Sequence, residues 1–289
     1  PGNAQIMESR HTLLTMAAAS VRYGDLPVMF CDDRFDASRE MQFAAVTFAL
    51  PDGTWMVAYR GTDATLIGWR EDFNMSFYCP VSSQSEAVRY LHEVAAQTTG
   101  ALRLCGHSKG GNLAMYATAC CDASILARVT DTYLFDAPGL DQATINSSGY
   151  LVAQSTVRCY VPQTSIIGRL MGVPERYIVV HSMANGMAQH NVFTWELDGP
   201  HLKTLPALDN ASRLIQSTID DFLRGSTPEM RRTLVEALFN TLGASNAHTL
   251  GDMAERWTDT VSALWSGMRT LDPVTRKAVQ TVVITLASS

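Results

Sequence analysis

The residues best suited to covalent chemistry in this chain form the run Gly106-His107-Ser108-Lys109-Gly110. An apolar, strand-like segment precedes the run, and a helical pattern rich in small residues follows it. Small residues two positions before and after a serine allow a sharp turn, the nucleophile elbow, which exposes the serine hydroxyl at the end of a sheet. The pattern therefore predicts that Ser108 is a nucleophile, whereas the alternative is a serine that only caps a helix.

A second glycine turn, Arg60-Gly61-Thr62, lies upstream at the end of another apolar strand. Attack on an acyl carbonyl places negative charge on oxygen, which backbone N–H groups stabilise. One group comes from the residue after the nucleophile and one from a loop after an earlier strand. Lys109 and Thr62 fit these places, so we expect their amides to form an oxyanion hole. Asp63 is expected to fix this loop or only to stabilise the turn.

The base that activates the serine must be one of the seven histidines in the sequence. It is expected late in the chain, because in folds with a nucleophile elbow the nucleophile, the acid and the base follow one another in the order serine, acid, histidine. His190 lies in a loop after the last core-like strand, from which a base can reach the serine. We predict His190 as the base and keep His181, at the end of that strand, as the second candidate. For either residue, the alternative is a histidine that bonds only to backbone.

The acid of the site is predicted to be Asp136. It ends a buried-looking strand that follows the nucleophile segment, a position from which a carboxylate can orient an imidazole. The alternative is a turn aspartate that bonds its own backbone before Pro138. Asp141 and Glu196 are weaker candidates for the same role.

Six short motifs give the chain a resemblance to a known family. In order from Arg60 to His190 they read R-G-T-D, W-x-E-D-F-N, G-H-S-K-G-G-N-L-A, F-D-x-P-G, P-Q-x-S-I-x-G and Q-H. With these motifs the chain resembles an uncharacterised bacterial family of lipase-like α/β-hydrolases that is related to the class 3 (fungal-type) lipases. The resemblance covers the middle of the chain. It implies an α/β-hydrolase fold and hydrolysis of esters.

The chain departs from the class 3 lipases at the acid. Those lipases carry an aspartate after the seventh strand, in a D-x-V-P setting, but the corresponding residues 158–165 contain no carboxylate. The resemblance therefore does not identify the acid, and Asp136 is the nearest substitute.

Several neighbouring residues are expected to act as scaffold. Arg60 is expected to point into the fold and to pair with a carboxylate such as Asp72, because a buried guanidinium without a partner is costly. Trp69 and Phe73 are interpreted as core anchors, with a wall of the substrate cleft as the alternative. The apolar residues 166–173 could form another wall of that cleft.

The alternation of strand-like and helical segments indicates an α/β fold, with a mostly parallel sheet and helices on both faces. A hairpin is expected from residues 43–50 and 55–59, with its turn at residues 51–53, after a loop around Asp32 and Asp33. From residue 206 onward only helical patterns occur, with breaks near residues 226–228, 243–246 and 271–273. We expect an α/β-hydrolase core over residues 1–205 and a helical C-terminal extension over 206–289, either within the same domain or as a cap or dimer interface.

Composition limits the possible partners. The chain has 289 residues, 46% of them hydrophobic, and a formal net charge of −6. This predicts a soluble globular protein, and it argues against nucleic-acid and anionic-membrane partners. No apolar run approaches the roughly 20 residues of a transmembrane helix.

The cysteines and the start of the chain bear on the compartment. The six cysteines lack the spacing of a zinc site, so reduced thiols of a cytoplasmic protein are expected. The sequence begins at Pro1 without a methionine, which leaves export open. A homo-oligomer is also possible.

Together these expectations describe a serine carboxylic-ester hydrolase, esterase or lipase-like, that acts on a small acyl ester without metal or organic cofactor. Ser108 would form an acyl-enzyme, His190 would carry the proton and Asp136 would hold the histidine. Two alternatives stay open. One is a serine amidase, peptidase or acyltransferase with the same site, and the other is a binding protein that keeps the scaffold without turnover.

Overall fold

The computed structural model describes residues 3–63, 65–172, 174, 176–210, 212, 213, 217 and 223–243. The α-helices in this part of the chain are α1 (Asn3–Ala18), α2 (Leu66–Asn74), α3 (Ser82–Gln97), α4 (Lys109–Cys120), α5 (Ala123–Leu126), α6 (Gln142–Ile145), α7 (Ser148–Ala153) and α8 (Pro228–Gly243). The strands are β1 (Val28–Asp36), β2 (Met41–Ala49), β3 (Trp55–Tyr59), β4 (Leu102–His107), β5 (Val129–Phe135), β6 (Val157–Pro162), β7 (Ile178–Val180), β8 (Leu197–Asp198), β9 (His201–Leu202) and β10 (Thr204–Leu205).

Eight strands form one sheet in the order β1-β2-β3-β4-β5-β6-β7-β10. β3 to β7 run parallel to one another, whereas β1, β2 and β10 are antiparallel to their neighbours. Helices connect the first parallel strands, with α3 before β4, α4 and α5 before β5, and α6 and α7 before β6. Parallel neighbours need such crossovers. The mostly parallel sheet with helices confirms the predicted α/β fold.

Helices α3, α4 and α7 form one layer on the sheet, because successive right-handed crossovers in one direction place their helices on the same face. The side chains of β4 accordingly alternate between buried and half buried. Leu102 and Leu104 are fully buried beneath this layer, whereas Arg103 and Cys105 on the other face are half buried. The main hydrophobic core therefore lies between the sheet and this helical layer, which is one of the two layers that the sequence predicts.

Three aromatic rings of the core hold β3 in place. The rings of Phe43, Tyr59 and Tyr90 lie pairwise 6.1 to 6.2 Å apart, in tilted and edge-to-face arrangements that are favoured between aromatic side chains. The Tyr59 hydroxyl also donates a hydrogen bond to the carbonyl oxygen of Ala87 in α3 (3.0 Å). Because Tyr59 ends β3, this packing fixes the point at which the Arg60-Gly61-Thr62 turn begins.

The N-terminal strands agree with the sequence prediction in one part and differ in another. The predicted hairpin is confirmed as β2 and β3. The loop expected around Asp32 and Asp33 is wrong, because both residues belong to the edge strand β1, which pairs with β2. An exposed edge strand commonly carries charged side chains that discourage pairing with other molecules. In the sequence, the charges of Asp32 and Asp33 look like those of a loop, and the strand was therefore not predicted.

The predicted helical extension is described only in part. α8 begins at Pro228, next to the predicted break at residues 226–228, and it packs against α2. The rings of Phe73 and Phe239 meet edge to face at that contact, with their centroids 5.7 Å apart. Residues 244–289 of the predicted extension lie outside the described residues, and the division at residue 205 stays a prediction.

Candidate active site

Ser108 lies in the sharp turn between β4 and α4, where the parallel strands end. Its backbone has φ 56° and ψ −133°, a positive φ that residues other than glycine rarely adopt. The turn is tight because α4 starts directly against β3: a Cβ atom on Gly110 would lie 2.2 Å from the carbonyl oxygen of Tyr59. The Ser108 amide donates to the Phe135 carbonyl oxygen at 3.0 Å. Ser108 is thus fixed by both neighbouring strands.

His190 and Asp136 are brought together at the same edge of the sheet. The Nδ1 atom of His190 lies 2.7 Å from Oδ2 of Asp136. Asp136 is only 1% exposed, and its other oxygen, Oδ1, accepts hydrogen bonds from the Ser165 hydroxyl (2.5 Å) and the Gly168 amide (3.0 Å). Both oxygens of this buried carboxylate are therefore engaged, one with His190 and the other with Ser165 and Gly168.

The loop that carries His190 is held from both sides. Gln189, the preceding residue, is buried, and its Oε1 accepts from the Thr164 amide at 2.9 Å, while its carbonyl oxygen accepts from Nε1 of Trp195 at 2.8 Å. On the other side, Nε2 of His107 lies 2.7 Å from the His190 carbonyl oxygen, and the two imidazole rings are 4.4 Å apart. Burial and the nearby His190 ring lower the pKa of His107. A neutral His107 must carry its proton on Nε2 to donate this bond.

No hydrogen bond in the described part of the chain joins the Ser108 hydroxyl to Nε2 of His190. In unliganded enzymes the bonds that transfer protons are often long, and they tighten only when substrate binds. The His190–Asp136 pair is thus formed in this structure, whereas the link from the pair to Ser108 is not.

The Thr62 loop approaches the serine turn closely. A Cβ atom on Gly61 would lie 2.8 Å from the carbonyl oxygen of His107, so only glycine allows this contact. The Thr62 hydroxyl donates to Oδ2 of Asp72 at 2.5 Å. Asp63 accepts from the amide of Thr65 at 2.8 Å, which stabilises the turn. The loop predicted to supply an oxyanion donor therefore lies beside Ser108.

The side chain of Lys109 has a role that sequence reasoning missed. Its Nζ atom donates to Oε2 of Glu71 (2.6 Å) and to the carbonyl oxygen of Gln42 (2.9 Å), and it lies 3.8 Å from Oδ1 of Asp72. Lys109 and Glu71 are each 1% exposed. The available signal was that Lys109 is the only charged residue of α4. A buried cation of this kind needs an anionic partner.

The alternative candidates for the base and the acid make other interactions. Nδ1 of His181 pairs with Oε2 of Glu196 at 2.6 Å, and about a third of each side chain is exposed. Asp141 caps α6 by accepting from the Ala143 and Thr144 amides. Neither Asp141 nor Glu196 is bonded to His190.

The expectation for Arg60 is wrong. Its side chain is 48% exposed, and it pairs with Asp33 at 3.2 Å rather than with Asp72. The sheet register explains this pairing, because Asp33 lies opposite Ala44 in β2 and the Arg60 amide donates to the carbonyl oxygen of Ala44. Arg60 therefore bridges the strands at the surface. Asp72 instead faces Thr62 and Lys109.

The expected scaffold residues occupy the periphery of the core. Trp69 and Phe73 are half buried, and Phe73 contacts Phe239 of α8. The residues 166–172 of the expected cleft wall are buried or half buried. Their 3₁₀ segment, Ile167–Arg169, places the Gly168 amide against Asp136.

Within the described ranges, no cluster of three or more histidine, cysteine or acidic side chains is arranged to hold a metal ion. No helix in that part of the chain is long and apolar enough to cross a membrane. The six cysteines are all free thiols, and burial raises the pKa of Cys159 to about 12.

Comparison with known proteins shows to which family the chain belongs. The model of the family described as Mbeg1-like matches residues 17–240. The chain belongs to the Mbeg1-like family. This family is related to lipases, and the match includes both the Ser108 turn and the His190 loop.

Solved structures similar to this Mbeg1-like chain include the Rhizomucor miehei lipase propeptide complex. Its native form has 16% sequence identity and a TM-score of 0.41, with 75% of this chain and 78% of that chain covered. A form of the same complex with two residues deleted has the same identity and TM-score, and 76% of that chain is covered. No protein of curated function matches the chain.

Proposed function

We propose that this Mbeg1-like protein is a serine carboxylic-ester hydrolase related to the class 3 lipases, with Ser108, His190 and Asp136 as its triad. The observation that carries the proposal is the 2.7 Å contact between Nδ1 of His190 and the buried Asp136 carboxylate, next to the strained turn at Ser108. Strained backbone at an exposed edge of a sheet is typical of functional sites.

The chemistry follows from the positions of these groups. Asp136 holds the His190 proton on Nδ1, so Nε2 is free to accept the proton of the Ser108 hydroxyl as its oxygen attacks the acyl carbonyl. The amides of Thr62 and Lys109 stabilise the resulting oxyanion. His190 then protonates the leaving alcohol as the ester bond breaks. In the second half, His190 takes a proton from a water molecule that attacks the acyl carbon, and it returns this proton to the Ser108 oxygen as the acid leaves. Each step moves a proton between named atoms and needs no cofactor.

A fluorophosphonate probe tests the nucleophile, because such probes label only an activated serine. We expect labelling of wild-type protein at Ser108, located by peptide mapping, together with hydrolysis of a soluble p-nitrophenyl ester. Ser108→Ala should abolish both, with a rate loss of several powers of ten and an unchanged melting temperature.

Ser83→Ala is a matched control. Its hydroxyl is buried, whereas Ser108 is half buried, and it has no hydrogen-bond partner among the described residues, so labelling and turnover should match the wild type. Labelling of the Ser108→Ala variant would refute the assignment. A wild-type protein that reacts with neither probe nor ester would favour a binding protein. Faster turnover of amides than of matched esters would favour an amidase.

A further inference from the structure

A buried ion pair lies behind the proposed oxyanion loop. Lys109 and Glu71 are almost fully buried, and their charged atoms are 2.6 Å apart. Such a pair adds little to stability compared with apolar residues of the same size, because both charges must leave water. A pair at this position therefore calls for a role beyond stability.

The contacts of Glu71 indicate which group the lysine can serve. Glu71 accepts hydrogen bonds from the Gln42 amide (3.0 Å), the Ser83 amide (2.8 Å) and Nζ of Lys109. Its carboxylate is therefore well satisfied. Next to it, Oδ1 of Asp72 is buried, has no hydrogen-bond partner among the described residues, and lies 3.8 Å from the same Nζ.

Asp72 is in turn the group that holds Thr62. Its second oxygen, Oδ2, accepts from the Thr62 hydroxyl at 2.5 Å. Burial raises the pKa of Asp72 to about 6, and the charge of Glu71 adds to this effect, whereas Lys109, the Thr62 hydroxyl and His190 lower the pKa. The ammonium of Lys109 is the strongest of the influences that keep Asp72 charged.

We propose that the Lys109 side chain is a positioning residue of the oxyanion site: its ammonium keeps the Asp72 carboxylate ionised, and the carboxylate fixes the Thr62 loop beside Ser108. The proposal rests on the proposed function. Lys109 thus contributes twice, through its amide at the oxyanion and through its ammonium behind the loop. The ammonium acts only through Asp72 and does not touch the substrate.

The double variant Lys109→Met/Glu71→Gln tests this role. It removes both members of the ion pair together, so neither is left buried without the other. Loss of Lys109 raises the pKa of Asp72 and loss of Glu71 lowers it; because Lys109 has the larger influence, the pKa of Asp72 should rise. The quantity to compare is the ratio of kcat/KM at pH 6 to kcat/KM at pH 8.5 on a soluble p-nitrophenyl ester, normalised to probe-labelled enzyme. Because the pKa of Asp72 starts near 6, a rise of one unit lowers the ionised fraction at pH 6 from about one half to about one tenth, so this ratio should fall about fivefold.

Two further variants assign the effect to Asp72. In an Asp72→Asn background the same double substitution should leave the ratio unchanged, because the titrating group is gone. Thr118→Val is a control for general loss of stability. Its buried hydroxyl bonds to Thr132 (3.0 Å) and to the Ala114 carbonyl oxygen (2.8 Å), nine positions along α4 from Lys109, and its removal should not change the ratio.

Glu71→Gln alone gives a prediction of opposite sign. It removes the like charge and keeps the cation, so the pKa of Asp72 should fall and the ratio should rise. This variant decides the question if the double variant does not fold.

The outcomes separate the two proposals. An active, probe-labelled protein whose ratio does not change in these variants overturns the role of Lys109 and leaves the proposed function standing. A ratio that shifts equally in the Asp72→Asn background also overturns it, because the effect then bypasses Asp72. A wild-type protein that takes up no probe overturns the proposed function and this proposal with it.

Discussion

Replacement of Asp136 by asparagine tests the acid most sharply, because the structure determines how the new amide must be oriented. Oδ1 of Asp136 accepts from the Gly168 amide, which can only donate. The oxygen of an asparagine must therefore face Gly168, and its NH₂ group must face Nδ1 of His190. A donor at this position forces the imidazole proton onto Nε2, which is the atom that has to receive the proton of Ser108.

The expected loss follows from this wrong tautomer. The same exchange in a well-studied serine protease lowers kcat by about 10⁴, which corresponds to about 5.5 kcal/mol of transition-state stabilisation. The fold should persist, because asparagine has the shape of aspartate and keeps the acceptor for Gly168. The Ser165 hydroxyl also keeps its bond, because it donates to the same oxygen as Gly168. We therefore expect an unchanged melting temperature and a rate loss near 10⁴.

The assay is kcat/KM on a soluble p-nitrophenyl ester, with the rate of fluorophosphonate labelling as a second measure. Ser165→Ala is the matched control. It removes one hydrogen bond to Oδ1 of Asp136 but leaves the contact with His190, so it should cost about tenfold at most. If the asparagine variant kept its rate within tenfold of the wild type, Asp136 would not be the acid and the reasoning would fail.

The remaining predictions concern the base and the substrate. His190→Ala should be as damaging as loss of the serine, because the members of a triad act as a unit. His181→Ala should cost far less, since His181 is engaged with Glu196 at the surface, and the reverse ranking in ester hydrolysis would move the base to His181. Soluble short-chain esters should be hydrolysed faster than emulsified long-chain triglycerides, because residues 166–172 offer only a short, largely covered apolar surface. A series from acetyl to palmitoyl esters measures this preference, and a rate that jumps when an interface forms would contradict it.

The parts of the molecule that the sequence predicted well are those governed by local backbone rules. A glycine at position 110 indicates that another part of the backbone lies close to it, and in the structure the carbonyl oxygen of Tyr59 packs directly against Gly110. The turn at residues 51–53 likewise predicts the β2–β3 hairpin. Such features depend on a few neighbouring residues, so a short motif contains most of the required information.

The parts that the sequence did not predict depend on contacts between distant segments. Lys109 pairs with Glu71, 38 positions away, and Arg60 pairs with Asp33, 27 positions away. Judged by chemistry alone, Lys109 and Arg60 could each pair with any of several carboxylates in the sequence. The choice follows from strand register and from the direction in which α2 presents its acids, and neither property can be read from spacing.

The position of the proposed acid shows how a site of this kind tolerates such changes. In the class 3 lipases that the chain resembles, the acid follows the strand that corresponds to β6, whereas here Asp136 follows β5. The residues after β6 still contribute to the site, because Ser165 and Gly168 donate hydrogen bonds to Asp136 from that segment. A triad constrains the distance between carboxylate and imidazole, not the strand that carries the carboxylate. An acid on one strand with its donors on the next satisfies the same requirement, and this explains why residues 158–165 can lack a carboxylate while the His190–Asp136 pair is formed.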